Sequence, residues 1–419
     1  MIIAAVAACE PADPLPDKTT PDPEQQEEPG QDPTPEEPAP ATVRIDTIDF
    51  NVENAAAMEY MDYVYAHPYR TTDFSATYIE DYYRTPRNNG YRGDCPAGYE
   101  IKWESVLGAS SYRIVISENE DMSNPVQTAT TTSRALSYTV TNMIPGHSYH
   151  CTVSAQYTDE YGTDIRKAFI RASGRRRMID AESVGNVRDL GGLSTENGKH
   201  VRYGLLFRGS RLNVQGIDIS NDDKKVFLGL GIKADLDLRQ NESGKIGDCY
   251  TTRKSPLGDA VDWKLFPKAN ESYFAQLLEN DEYIKAIQWM IDELKAGKPV
   301  YFHCKTGADR TGTLAFLIES LLGVTETDKS IDFELTSFFY DFGDPKEYAF
   351  RSRSISRTIA ITGKEKYDWK GMYDLIDDHY SGATYQQKVY NYLNKGIGTS
   401  SSARVSTADL DWFISYVLE

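Results

Sequence analysis

Between Val300 and Leu322 the hydrophobic period changes across one short loop, and few folds accommodate that change. "PVYFHC" is an apolar-led run of strand length, whereas "TGTLAFLIESLL" sets Leu314, Leu317, Ile318 and Leu321 at helical spacing. The loop between them joins the C-terminal end of a strand to the N-terminus of a helix. Backbone N–H groups converge at such a junction, and the helix dipole favours an anion there. Gly307 and Gly312 permit bending and close backbone approach. Arg310 adds a planar fork of donors able to grip two phosphate oxygens. A thiol on the floor of such a cup, here Cys304, ionises more readily than a free cysteine and becomes a nucleophile. The segment therefore suits attack by sulfur on a bound phosphate monoester.

The surrounding chain alternates strands with helices. "LLFRGS" (205–210), "IKADLDLR" (232–239) and "AVDWKLF" (260–266) read as strands. Ser220 and Asp223 make a capping pair for a helix through Leu228, which Gly229 and Gly231 end. Ile284, Ile287, Ile291 and Leu294 recur at helical spacing, and further helices are expected around 328–341, 367–380, 384–395 and 407–418. Residues 178–419 thus form an α/β domain with a central sheet flanked by helices.

The block from 43 to 175 reads differently. "GYEIKWESV" (98–106), "SYRIVIS" (111–117), "LSYTVTNM" (136–143), "SYHCTVSAQY" (148–157) and "KAFIRAS" (167–173) alternate apolar with polar residues between turn-rich stretches, the pattern of a β-sandwich. From about residue 90 this block resembles a fibronectin type III module. The resemblance implies core positions for Trp103 and for Tyr149, the latter as a corner tyrosine, rather than a sugar-binding face. Residues 43–89, rich in Tyr and Asp, extend or wrap the sandwich. The partner of the sandwich is not readable.

A chain of 419 residues holds two or three domains, and its 26% charged and 40% hydrophobic content is that of a globular protein. The net charge of −18 argues against broad nucleic-acid binding. Half of it is local: Glu10 to Glu37 holds ten acids and one base, a net −9, and ten of the 19 prolines lie within residues 10–41. So polar a segment buries too little to offset its ordering entropy, and residues 10–41 read as a disordered acidic linker. Residues 1–9, "MIIAAVAAC", end in Val6-Ala7-Ala8-Cys9, which resembles the lipobox of bacterial lipoproteins. That resemblance implies lipidation of Cys9, export, and anchoring to a bacterial membrane on its periplasmic face or at the cell surface. No basic segment precedes the run, so a start upstream of Met1 is expected. Of the other cysteines, Cys95 and Cys151 either pair or stay free with Cys249.

His303-Cys304-Lys305-Thr306-Gly307-Ala308-Asp309-Arg310-Thr311 matches the HCxxGxxRT signature and resembles the protein tyrosine phosphatase superfamily. "NVRDLGG" (186–192), "LLFRGSRL" (205–212) and "DLR" (237–239) add a likeness to its bacterial tyrosine/serine branch over about 180–325. The resemblance implies roles residue by residue. Cys304 forms a phosphocysteine intermediate, Arg310 binds the equatorial oxygens, Thr311 eases departure of the sulfur, and His303 holds the loop. Lys305, Thr306, Gly307, Ala308 and Gly312 line the bound phosphate. Arg188 and Asp189 stand on the substrate side, with Asp189 a partner of Arg188 that buttresses the loop. The usual acid loop reads "PKANES" and lacks Asp, so Asp309 is the expected general acid, with Asp262 and Asp189 behind it. Asp237 and Arg239 are expected to orient the sheet edge. Ala308 stands where this branch commonly has lysine; Lys305 compensates in part. No cofactor or metal is implied. The expected substrate is a phosphorylated protein, phosphotyrosine first, or a small phosphomonoester; a phytase-like inositol-phosphate phosphatase and a non-catalytic surface-binding lipoprotein are the alternatives.

Overall fold

A computed structural model describes residues 98–157, 161–172, 176–181, 183–214, 217–239, 253–267, 281–336, 369–397 and 402–419. The lipobox with Cys9, the acidic linker, residues 43–89, Cys95, Cys249 and "PKANES" beyond Pro267 lie outside them. Among the described residues no helix is long and apolar enough to cross a membrane.

The first six strands are β1 (Tyr99–Lys102), β2 (Ser111–Ser117), β3 (Gln127–Thr132), β4 (Ser137–Val140), β5 (Ser148–Gln156) and β6 (Tyr161–Arg171). They form a four-stranded sheet in the order β3-β2-β5-β6 and a two-stranded sheet of β1 and β4. Alternation drives them together: Tyr112, Ile114 and Ile116 on β2 and Tyr149, Cys151 and Val153 on β5 are fully buried. Trp103 and Tyr149 are both core residues, as expected. The Trp103 ring meets Tyr112 edge-on at 5.4 Å. Tyr149 makes the predicted corner, its Oη accepting from the Ile144 N–H at 3.0 Å. Cys151 is a buried free thiol, its pKa pushed up to about 12 by burial. Strand β3 escaped the sequence reading because "QTATTT" carries no large apolar residue; it is an edge strand whose residues alternate only between half-buried and exposed.

The second layered body is built on β7 (Arg188–Asp189), β8 (Leu206–Gly209), β11 (Ala234–Asp237), β12 (Asp262–Leu265) and β13 (Val300–His303), in the order β12-β11-β13-β8-β7. The first four strands in that order run parallel and β7 runs antiparallel to β8. A small ribbon, β9 (Asn213–Val214) with β10 (Ile217–Asp218), follows β8. Helix α1 (Asn221–Gly229) begins as predicted, with Ser220 accepting from Asp223 N. The Asp223 carboxylate accepts from the Ser183 N–H at 2.8 Å. The remaining helices are α2 (Glu282–Lys295), α3 (Asp309–Leu322), α4 (Glu326–Leu335), α5 (Trp369–His379), α6 (Tyr385–Lys395) and α7 (Thr407–Val417).

Strand β13 is central, and its residues alternate between two cores. Val300 and Phe302 face the cluster shared with α2 and α3, whereas Tyr301 packs with Phe207 and Phe227 on the α1 side. Helix α3 departs from the one-faced stripe that its spacing suggests. Every residue from Arg310 to Leu322 is buried, because α3 lies between the sheet and helices α4 and α6. Its polar residues must therefore find partners inside the protein.

Candidate active site

The sheet register fixes where the signature loop emerges. His303 stands opposite Asp237 on one side and Gly209 on the other, so Cys304, Leu238 and Ser210 leave the sheet at the same edge. Parallel α/β sheets gather functional loops at this carboxyl edge.

Four consecutive carbonyls of the loop are tied to the surrounding protein. Cys304 O faces His303 Nδ1 at 3.0 Å, and Lys305 O accepts from Arg211 N at 3.2 Å. Thr306 O accepts from Asn186 Nδ2 at 3.0 Å, and Gly307 O from Arg208 Nη2 at 2.9 Å. In a planar trans peptide the N–H points opposite to the C=O. Drawing these four carbonyls outward turns the N–H groups of Lys305, Thr306, Gly307 and Ala308 to the concave side, where an anion would sit. Gly307 makes this possible. Its φ is +69°, and a Cβ there would stand 2.4 Å from Gly209 O and 2.9 Å from Asn186 Nδ2. Gly312 has no such need: a Cβ would meet Arg208 Nη2 at 3.5 Å, an ordinary contact. Its N–H donates to Ala308 O in the first turn of α3.

Burial pushes the Cys304 thiol up, but the Arg310 charge, with the hydroxyl and backbone N–H of Thr311, outweighs burial and holds it below its ordinary value; Asp309 acts in the opposite sense. Arg310 is buried, donates through Nη1 to Leu238 O at 3.3 Å, and has its own carbonyl fixed by the Tyr283 hydroxyl at 3.1 Å. His303 is fully buried between two acceptors, Cys304 O and Asp235 Oδ1, the latter 3.0 Å from Nε2. Burial alone favours a neutral ring, yet Asp237 and Asp235 raise its pKa. An imidazolium donating from both nitrogens fits that arrangement.

A family model described as the tyrosine phosphatase family matches residues 179–406, more than half of the chain. The chain belongs to the tyrosine phosphatase family. It is 29% identical over 168 residues to a protein of Cupriavidus necator named as a tyrosine-protein phosphatase, covering 36% of this chain and spanning 60% of that relative's length. Among solved structures it resembles the core catalytic domain of the PP-IP phosphatase SIW14 from S. cerevisiae (18% identity, 44% of this chain and 94% of that one, TM-score 0.26). It also resembles TpbA of P. aeruginosa (16% identity, 42% and 87%, TM-score 0.25). The strands before residue 173 resemble the fn3 domain of human contactin 1 (24% identity, 19% and 69%, TM-score 0.17).

Within this phosphatase-family loop Lys305, Thr306 and Asp309 are partly exposed, whereas Cys304, Gly307, Ala308 and Arg310 are buried. Asp309 begins α3 and is acidic in its first turn, where the dipole favours it. Asp262 lies elsewhere. It pairs in register with Ala234, which stands opposite Val300, so it sits at the other edge of the sheet, about 10 Å along the strands from the level of His303. There it forms an exposed ion pair with Lys298. Arg188 and Asp189 require a correction. They do not pair with each other, and both are buried rather than facing substrate. Arg188 binds Asp332 through Nε at 2.6 Å and Asn186 Oδ1 through Nη1 at 2.5 Å. Asp189 meets Arg177 at 3.2 Å and accepts from the N–H groups of Gly191 and Gly204, both at 2.8 Å. Asp237 and Arg239 form the buried pair expected at the sheet edge, and Arg239 reaches Asn213 Oδ1 at 2.7 Å.

The sequence reading missed Asn186, Arg208 and Asp332 as supports of the loop. Asn186 and Arg208 lie inside the quoted "NVRDLGG" and "LLFRGSRL", and a positive φ of 59° at Asn186 is a signal that only the backbone shows. Asp332 lies in a helix with no recognisable motif.

Proposed function

We propose that this chain is a cysteine-dependent phosphatase that hydrolyses phosphate monoesters, protein phosphotyrosine first, through a phosphocysteine intermediate. The observation that carries the reading is the run of four outward-tied carbonyls around a thiol held below its ordinary pKa. In the first step Cys304 Sγ attacks phosphorus as the P–O bond to the leaving oxygen breaks, and that oxygen takes the carboxyl proton of Asp309. The inward N–H groups and Arg310 meet the charge on the equatorial oxygens as it grows. In the second step water attacks phosphorus, Asp309 accepts its proton, and the P–S bond breaks. Inorganic phosphate leaves and the thiolate is restored.

The test is hydrolysis of a phosphotyrosine peptide, a phosphoserine peptide and inositol hexakisphosphate by the full chain, beside Cys304→Ser. The phosphotyrosine peptide should turn over fastest, and Cys304→Ser should lose about a thousandfold or more while still binding phosphate analogues. Retained turnover in Cys304→Ser would remove the covalent mechanism. Faster hydrolysis of the inositol phosphate would replace the substrate class.

The same reading takes residues from about 90 to about 174 as a fibronectin type III-like module and Cys9 as the site of a lipid anchor on an exported bacterial protein. The corner bond of Tyr149 supports the first, and the Val6–Cys9 run followed by the acidic proline-rich segment supports the second.

A further inference from the structure

Behind the phosphate loop two arginines face each other. Arg188 on β7 and Arg208 on β8 are direct cross-strand partners, both buried. Like charges placed opposite each other in a sheet repel, and burial removes the water that would screen them. The carboxylate of Asp332, on α4, sits between them: Oδ1 accepts from Arg188 Nε at 2.6 Å, Oδ2 accepts from Arg208 Nη1, and Asp332 O accepts from Arg188 Nη2 at 2.5 Å. From this one carboxylate two arms run to the loop. Arg208 extends Nη2 to Gly307 O, while Arg188 holds Asn186 Oδ1 so that Asn186 Nδ2 reaches Thr306 O. The two arms end on consecutive peptide groups, the pair whose N–H groups on Gly307 and Ala308 face the anion. Glu319 on α3 also adjoins Asp332, and burial first, then the Asp332 charge, raises its pKa well above the usual carboxylate range. The two guanidinium groups and the Asp332 carboxylate sum to +1.

We propose that Asp332 is a positioning residue of the phosphate loop: by clamping Arg188 and Arg208 it fixes the Thr306 and Gly307 carbonyls, and so aims the N–H groups that bind the phosphoryl oxygens. This rests on the phosphatase reading of the loop. A bulk electrostatic role predicts the opposite sign, because removing the carboxylate raises the charge behind the loop from +1 to +2. If charge alone mattered, Asp332→Asn would bind oxyanions more tightly and ionise Cys304 more readily. If positioning matters, both properties weaken.

The experiment measures the dissociation constant for tungstate and the pH dependence of Cys304 alkylation by iodoacetamide, read by mass spectrometry on the Cys304 peptide of the full chain. Asp332→Asn should bind tungstate at least about tenfold more weakly, a loss of about 1.4 kcal/mol, and its alkylation curve should move to higher pH. Asn186→Gly removes one arm with no change of charge and keeps the positive φ, and it should show the same two changes even where Asp332→Asn fails to fold. Tungstate affinity and alkylation unchanged in Asn186→Gly, or unchanged or enhanced in folded Asp332→Asn, would overturn the inference and leave the phosphatase reading intact. A wild-type chain that neither binds tungstate nor alkylates at Cys304 near neutral pH would overturn both.

Discussion

Asp309 is the one candidate acid whose backbone lies in the signature loop, at the first position of α3 and beside Arg310. Asp262 is paired with Lys298 at the far edge of the sheet, and Asp189 is buried among Arg177 and two backbone N–H groups. Asp309→Asn should therefore slow phosphotyrosine hydrolysis by about a hundredfold or more. An aryl phosphate with an acidic leaving group departs without a proton, so the loss there should be much smaller. Comparing the two substrates decides the matter: equal losses on both would mean that Asp309 only shapes the loop. What was legible at this scale is the local part of the site. Cys304, Arg310 and Thr311 share one short loop and declare themselves by spacing. Asp332 is 144 residues from Arg188 and 124 from Arg208, and no local pattern records a contact that only the assembled sheet creates.

At the scale of elements, strands and helices of the second body were largely readable, because β13, α2 and α3 carry their own apolar periods. The all-round burial of α3 was not. A stripe of Leu314, Leu317, Ile318 and Leu321 predicts one covered face, and covering of the opposite face comes from α4 and α6, far along the chain. That second covering is what buries Glu319. In the folded chain burial and the Asp332 charge hold the Glu319 pKa well above its unfolded value of 4.5. A group whose pKa rises on folding lends stability that is present below the unfolded value and drains away as pH climbs toward the folded one. Asp332 is shifted the other way by Arg188 and Arg208, so its contribution is lost only in strong acid. Above the unfolded value, then, Glu319 carries this cluster's pH response, and Glu319→Gln should remove it, as melts at about pH 5 and at a higher pH would read. The variant should gain on wild type as pH rises, by up to about 1.4 kcal/mol per unit. Thermal melts at both pH values would show a widening difference; a constant gap would mean that Glu319 is ionised in the fold.

At the scale of the whole molecule, described residues of the sandwich meet the second body at a turn. Asn142, held at a φ of +63°, accepts from Asp180 N at 2.6 Å, and its carbonyl receives Arg177 Nε at 3.1 Å. Arg177 in turn grips Asp189, and the His147 ring meets Tyr203 at 6.0 Å. The strands are thus docked on the body that holds the proposed site. If Cys9 anchors the protein, mature material should begin there, carry a lipid mass and enter the detergent phase, and Cys9→Ser should abolish all three. Native protein that retains Met1 and no lipid would end that idea.

The ties that hold the Thr306 and Gly307 carbonyls span 120 and 99 residues of sequence. Contacts so distant close late when a chain folds. Until they close, nothing aims the N–H groups or Arg310 at the sulfur, and Cys304 is chemically an ordinary cysteine. Reactivity is therefore a property of the finished protein: a nascent chain carries Cys304 in a dormant form.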